Sequence, residues 1–183
     1  MTSPSSQAAS TIPGDDLTRN FTLARSDDPN LPHIGVVGDT YTILVASKDT
    51  AGRYCLIGMH IPPGGGPPPH RHDYEEMFSA LEGETEFTEF TFRGKKIVVR
   101  ACETINIPAN APHQFKNKSD QPARLLCLCS PAGLDEFFKE VGVPVATRTT
   151  PPRPLDAEAE AMRRKLMPTD NETQLYSPTG ITI

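Results

Sequence analysis

No apolar run in this 183-residue chain approaches the roughly 18 residues needed to cross a bilayer as a helix. The first ten residues, Met1 to Ser10, have neither a basic start nor an apolar stretch, so no secretory signal is expected. A Lys/Arg-rich block is also missing and the formal net charge is −5, which argues against nucleic acid and anionic membrane as partners. Cysteine is scarce and unpaired in pattern: Cys55, Cys102, Cys127 and Cys129 show no CxxC spacing and lie in or beside apolar strand-like segments. They read as reduced, buried thiols of a cytoplasmic protein. There is no internal repeat, and the length suits one domain with a respectable core.

Proline is abundant, 19 in all, and it marks boundaries. Residues 1–35, rich in Ser, Thr, Asp and Pro, read as a flexible arm. From Thr40 to Cys129 short β-type runs alternate with Gly, Pro and Asn turns and no helices intervene. That pattern predicts an all-β barrel or sandwich over 36–130 and excludes a doubly wound sheet. After Ser130 the period changes. Leu134, Phe137, Phe138 and Val141 fall on one helical face that stops at Gly142, and Leu155, Ala159, Met162 and Leu166 form a second stripe. Residues 131–183 are therefore expected to be a helical extension ending in a loose tail from 168.

Chemistry concentrates in His70, His72, Glu76 and His113. Histidines one residue apart on an extended segment point to the same side. Glu76 shares their parity if the chain stays extended or bends once at Asp73-Tyr74. Three imidazoles and a carboxylate suit a divalent first-row ion (Fe, Mn, Ni, Co, Cu or Zn) and leave positions open for water or substrate. Glu75 is expected to face solvent. Phe78 shares parity with Glu76, and Phe115 with His113. With Tyr74, and with Met59 or Phe87 as weaker candidates, they suggest an apolar wall. His60 is a further candidate for lining the cavity. No anion clamp for a sugar phosphate can be assembled from the scattered basic residues. His33, in the arm, is given no role.

Gly64, five residues, His70-x-His72, three residues, Glu76, six residues and Gly83 resemble the first signature of the cupin superfamily at every fixed position. The second signature appears as Cys102, Pro108, Asn110, His113 and Asn117, with Cys102 and Asn110 in place of glycines. Asn110 tolerates a positive φ, whereas Cys102 is less suited to it. The resemblance implies an all-β double-stranded β-helix, the jelly-roll barrel of cupins, as a single barrel with C-terminal helices.

The segment from Pro68 to Glu76 and the run Ser130-Pro131-Ala132-Gly133-Leu134-Asp135-Glu136-Phe137-Phe138 further resemble small cupins grouped with quercetin dioxygenases. This implies a metal-dependent dioxygenase acting on a small apolar enol, phenol or diketone, with Glu76 as catalytic proton acceptor. Two other readings stay open: a non-catalytic small-molecule-binding or storage module, and an isomerase or lyase using His60 or Tyr74 as an additional acid/base. A homodimer is expected, because a single barrel has sheet edges to cover.

Overall fold

The computed structural model describes residues 14–82, 88–166, 169–170 and 173–176. Among the described residues, thirteen strands run in the order β1 (His33–Val36), β2 (Asp39–Val45), β3 (Cys55–Ile61), β4 (His70–His72), β5 (Glu75–Glu82), β6 (Thr88–Phe92), β7 (Lys95–Val99), β8 (Thr104–Ile107), β9 (His113–Asn117), β10 (Ala123–Ser130), β11 (Val143–Pro144), β12 (Thr169–Asp170) and β13 (Thr173–Tyr176). Helices α1 (Leu134–Val141) and α2 (Ala157–Leu166) follow the main body of strands. The strands form two sheets, one ordered β11-β1-β2-β3-β10-β5-β8 and the other β12-β13-β4-β9-β6-β7. All neighbours are antiparallel except β13 beside β4. This is the expected all-β jelly roll.

Alternation along the strands decides which side chains meet. On β3, Cys55, Ile57, Met59 and Ile61 are buried while Leu56, Gly58 and His60 are only half-buried. Directly alongside, β10 buries Leu125, Cys127 and Cys129, in register with Met59, Ile57 and Cys55. Facing them from the other sheet, β9 turns His113, Phe115 and Asn117 inward. Each buried aromatic of this core, Phe78 and Phe115 among them, contributes about 2–3 kcal/mol of apolar transfer free energy.

Helix α1 closes one end of the body. Its buried residues Leu134, Phe137, Phe138 and Val141 are the predicted stripe, and the Phe138 ring lies 4.6 Å from Tyr41. Buried Asp135 accepts hydrogen bonds from the Ser47 backbone N–H at 2.9 Å and from its hydroxyl, tying α1 to the turn after β2. Gly142 ends the helix for a different reason from the one its position suggests. Its φ of −100° is open to any residue, but a Cβ there would sit 2.4 Å from Ile34. Space, not handedness, calls for glycine.

Three expectations need correcting. The sheet begins at His33, inside the stretch read as a flexible arm, because β1 pairs with both β2 and β11. His33 itself is buried; one ring nitrogen donates to the Asp28 carbonyl at 3.2 Å and the other meets the Thr42 hydroxyl at 2.8 Å. The tail read as loose supplies β12 and β13, and β13 adds to the short strand β4. Its few residues carry no readable periodicity; an open strand edge recruits them. Cys102 is exposed rather than buried.

Cys102 and Asn110 both take the left-handed backbone conformation, with φ of 68° and 64°. Asn adopts it readily, whereas a cysteine there costs on the order of 1–2 kcal/mol. Restoring glycine removes that strain at some cost in unfolded-chain entropy. Cys102→Gly is therefore expected to raise unfolding free energy by about 0.5–1 kcal/mol. Urea denaturation monitored by circular dichroism checks it, and an unchanged or lower midpoint would show that the turn is unstrained.

Candidate metal centre

The chain changes sheets at Asp73-Tyr74, the bend foreseen between the two halves of the motif. His70 and His72 lie on β4, and His113 on β9 faces His70 across one antiparallel pair. Glu76 comes from β5 in the opposite sheet. All four side chains are buried, and one donor atom from each lies within 4.8 Å of every other. The imidazole rings crowd together, with centroids 4.2 Å apart for His70 and His113 and 5.0 Å for His72 and His113.

Hydrogen bonding fixes the tautomers. His70 Nδ1 is 3.0 Å from the Pro68 carbonyl, His72 Nδ1 is 3.0 Å from that of Tyr74, and His113 Nδ1 is 2.9 Å from that of Ala111. A carbonyl only accepts, so each Nδ1 carries the proton and donates it. In the neutral ring Nε2 is then a bare lone pair. Yet His72 and His113 Nε2 stand 2.9 and 3.1 Å from Glu76 Oε2. Lone pairs facing a carboxylate at that distance repel unless a cation lies between them or the rings are protonated. Burial and the neighbouring His113 push His70 down to about 3, so that ring is neutral. Burial alone would raise Glu76, but His72 and His113 outweigh it and hold the carboxyl well below its usual range. Three imidazoles whose outer N–H groups are anchored to backbone, beside a carboxylate held ionised, form a donor set that fits a divalent ion.

The surroundings sort the remaining candidates. Tyr74 stacks flat on His72, centroids 3.9 Å apart and planes within 1°, so it holds that imidazole in place rather than facing the void. Met59, Phe78 and Phe115 do line a small void beside His70 and Glu76, and the two phenyl rings meet edge to face at 5.3 Å. His60 does not. Its parity on β3 is opposite to that of Met59, and it lies on the outer side of the sheet near Arg124 and Arg148, with its Nδ1 buried and unbonded among the described residues. Strand alternation, applied to Met59, would have excluded it. Phe87 and Gly83 fall outside the described residues. Glu75 faces out as expected, accepting from the Ala109 N–H and the Asn106 amide.

Sequence reasoning missed the rest of the wall. Tyr41 on β2, Leu134 and Phe138 on α1, and the Val36–Val37 turn complete the void, which holds about 10 Å³. It also missed Asp39, fully buried, whose carboxylate accepts from the Tyr41 hydroxyl at 3.1 Å and the Gly66 N–H at 3.2 Å. Asp39 thus pins the Gly64–Gly66 loop that leads into β4. The packing explains the glycines: a Cβ at Gly65 would meet Asp39 Oδ1 at 2.4 Å, and one at Gly66 would meet the Phe115 carbonyl at 2.1 Å.

A barrel of this topology with three histidines and a glutamate between its sheets is a cupin. The chain belongs to the cupin superfamily, and residues 58–129 match the family described as the cupin domain. Among curated proteins it is similar to auxin-binding protein 1 of Arabidopsis thaliana, 30% identical over 138 residues, covering 70% of this chain and 66% of that protein. It is also similar to quercetin 2,3-dioxygenase of Bacillus subtilis, 27% identical over 116 residues, covering 62% of this chain and 33% of the enzyme. The matched stretch thus spans just under two thirds of the first relative and a third of the second. In fold it resembles a predicted oxalate decarboxylase from Thermotoga maritima, with TM-score 0.53 and 18% identity over 60% of this chain and 98% of that one.

Burial pushes the Asp39 carboxyl up to about 7, against hydrogen bonds from Tyr41 and Gly66 that lower it. Between about pH 4 and 7 the folded chain keeps a proton that the unfolded chain has lost, so stability falls as pH rises through that window. Asp39→Asn abolishes this component. Relative to the unsubstituted protein it should gain on the order of 3 kcal/mol between pH 4 and pH 8. Denaturant melts at the two pH values test this, and a difference independent of pH would refute it.

Proposed function

We propose that the protein binds one divalent transition-metal ion through His70, His72, Glu76 and His113 and acts as a dioxygenase on a small, largely apolar enol, phenol or diketone. One observation carries the metal assignment: Nε2 of His72 and of His113 converge on the Glu76 carboxylate, and one donor atom from each of the four side chains lies within 4.8 Å of every other. The apolar wall of Met59, Phe78 and Phe115 supports the substrate class, and the similarity to quercetin 2,3-dioxygenase supports the reaction. With only about 10 Å³ of void, room for about one water, the substrate must be small and α1 or the Val36–Val37 turn must give way to admit it.

A bound ion supplies Lewis acidity toward a ligand oxygen and, when redox-active, the electronic coupling that oxygen chemistry needs. Glu76 Oε2 is the proton acceptor for the substrate hydroxyl, since its carboxylate stays ionised in the buried site. Phe78 and Phe115 orient the apolar part and exclude water. The overall reaction consumes one O₂, breaks a carbon–carbon bond and places both oxygen atoms in the products. Zinc, iron, manganese, cobalt, nickel and copper all accept this donor set.

A second reading, a binding module, is favoured by the near-filled interior and by the similarity to a protein named for binding auxin. On that reading the site holds a small ligand without turning it over. An isomerase or lyase has less support, because the two residues expected to serve as its additional acid/base do not reach the void: His60 faces away and Tyr74 stacks on His72. All four cysteines are free of disulfides, which suits the cytoplasmic location we propose. Among the described residues, no helix is long and apolar enough to cross a membrane.

His72→Ala and His113→Ala should each lower metal content at least tenfold while the β-rich circular dichroism persists. Glu76→Gln should lose oxygen consumption by a factor of 100 or more, beyond any loss of metal, because a neutral amide cannot accept the proton. Elemental analysis and an oxygen electrode with diketones, catechols and flavonols decide it. A fully metallated protein that binds such compounds by calorimetry yet consumes no oxygen would favour the binding module over the enzyme.

We also propose a homodimer. The outer face of the larger sheet carries half-buried Leu56, Met77, Leu126 and Leu128, and the preceding segment leaves Leu17, Phe21 and Leu23 at 69–94% exposure. Such residues gain from a second copy. Light scattering should report about twice the 20.0 kDa chain mass, and a 20.0 kDa species at tens of micromolar would overturn it.

A further inference from the structure

Glu76 has a second oxygen, and the histidines do not use it. While Oε2 faces His72 and His113, Oε1 faces two thiols: Cys127 Sγ lies 3.2 Å away and Cys129 Sγ 3.7 Å away. The sulfurs are 3.6 Å from each other. Cys127 and Cys129 alternate onto the same inward side of β10, opposite Phe78 and Glu76 of β5 in register, and both are fully buried.

Those three separations have the dimensions of one face of a tetrahedral metal site. With metal–sulfur bonds of about 2.3 Å and a metal–oxygen bond of about 2.0 Å, tetrahedral angles place sulfurs about 3.8 Å apart and each sulfur about 3.5 Å from the oxygen. The edges found, 3.6, 3.2 and 3.7 Å, are within a few tenths of an ångström of those values. Carboxylate and thiol packing alone asks only that one S–H point at Oε1; it does not require a second sulfur to close the triangle. Cys55 hydrogen-bonds to Cys129 from the neighbouring strand and stands behind the triangle rather than in it.

We propose that Glu76, Cys127 and Cys129 form a second metal-binding site, for a thiophilic ion of the zinc class, sharing the Glu76 carboxylate with the three-histidine site. The interior of the barrel then offers two donor sets of different softness on either side of one carboxylate: imidazole nitrogen on one, thiolate sulfur on the other. Binding of one divalent ion at the sulfur side releases two protons, one from each thiol, with no change of oxidation state. The proposal does not depend on the oxygen chemistry proposed above; the two have only Glu76 in common.

Cadmium(II) serves as probe, in the full-length reduced chain carrying Cys102→Ser so that the exposed thiol contributes nothing. Two ions per chain are expected, with ultraviolet thiolate-to-cadmium charge-transfer absorption and two protons released by the sulfur-bound ion. Removing the histidine side with His70→Ala/His113→Ala should leave one ion and the full absorption. Cys127→Ser/Cys129→Ser should leave one ion and no absorption. Because those core variants can misfold, X-ray absorption at the cadmium edge is also measured on the chain with its barrel intact, where the two sites together are expected to average one sulfur per cadmium. A shell of nitrogen and oxygen alone, or absorption that survives Cys127→Ser/Cys129→Ser, overturns the proposal.

Discussion

Everything at the centre of this barrel is organised around one buried carboxylate. Glu76 is enclosed between the two sheets and ionised, and a charge in that position is tolerated only when positive or proton-bearing groups surround it. His72 and His113 face one of its oxygens and two thiols face the other. Because Glu76 belongs to one sheet and the histidines to the other, the contacts that gather these four candidate ligands also link the two sheets. The three Nδ1-to-carbonyl bonds convert this into a rigid constraint, since each ring can neither rotate nor change tautomer without losing a buried hydrogen bond.

Around that centre the chain spends its unusual residues on close approach. Gly65 and Gly66 let the loop before β4 press against Asp39 and the Phe115 carbonyl, which sets where His70 starts. Asn117, fully buried, donates to the carbonyls of Ile61 and Gln121 and closes the turn after β9. Helix α1 then seals the other side with Leu134 and Phe138. The result is an interior with metal-ligand chemistry but little free volume.

The superfamily hosts many reactions on this scaffold, and the relatives of this chain illustrate it, one named for binding and one for oxygenation. In this chain the glutamate has two unlike sets of neighbours. A pair of thiols on β10 gives its second oxygen neighbours that are chemically unlike the imidazoles, so the same carboxylate lies between a harder and a softer donor set.

Local pattern determined a good deal by itself. Period-two alternation placed His70, His72, Glu76, Phe78, His113 and Phe115 on inward faces, and period 3.6 found the buried face of α1, because in both cases the chain's own geometry fixes the direction of neighbouring side chains. Spacing along the chain likewise singled out the four candidate ligands. Tertiary structure alone decided the rest. Alternation puts Met59 and His60 on opposite sides of β3, but which of those sides met the other sheet was decided by packing; the short strands β1 and β13 exist because partners offer them an edge. Asp39, Tyr41 and Phe138 join the site from strands and a helix remote in sequence, and the thiol pair acquires meaning only when β10 is laid beside β5. No periodicity within a segment records which other segment will cover it, and that choice is made by packing between the sheets.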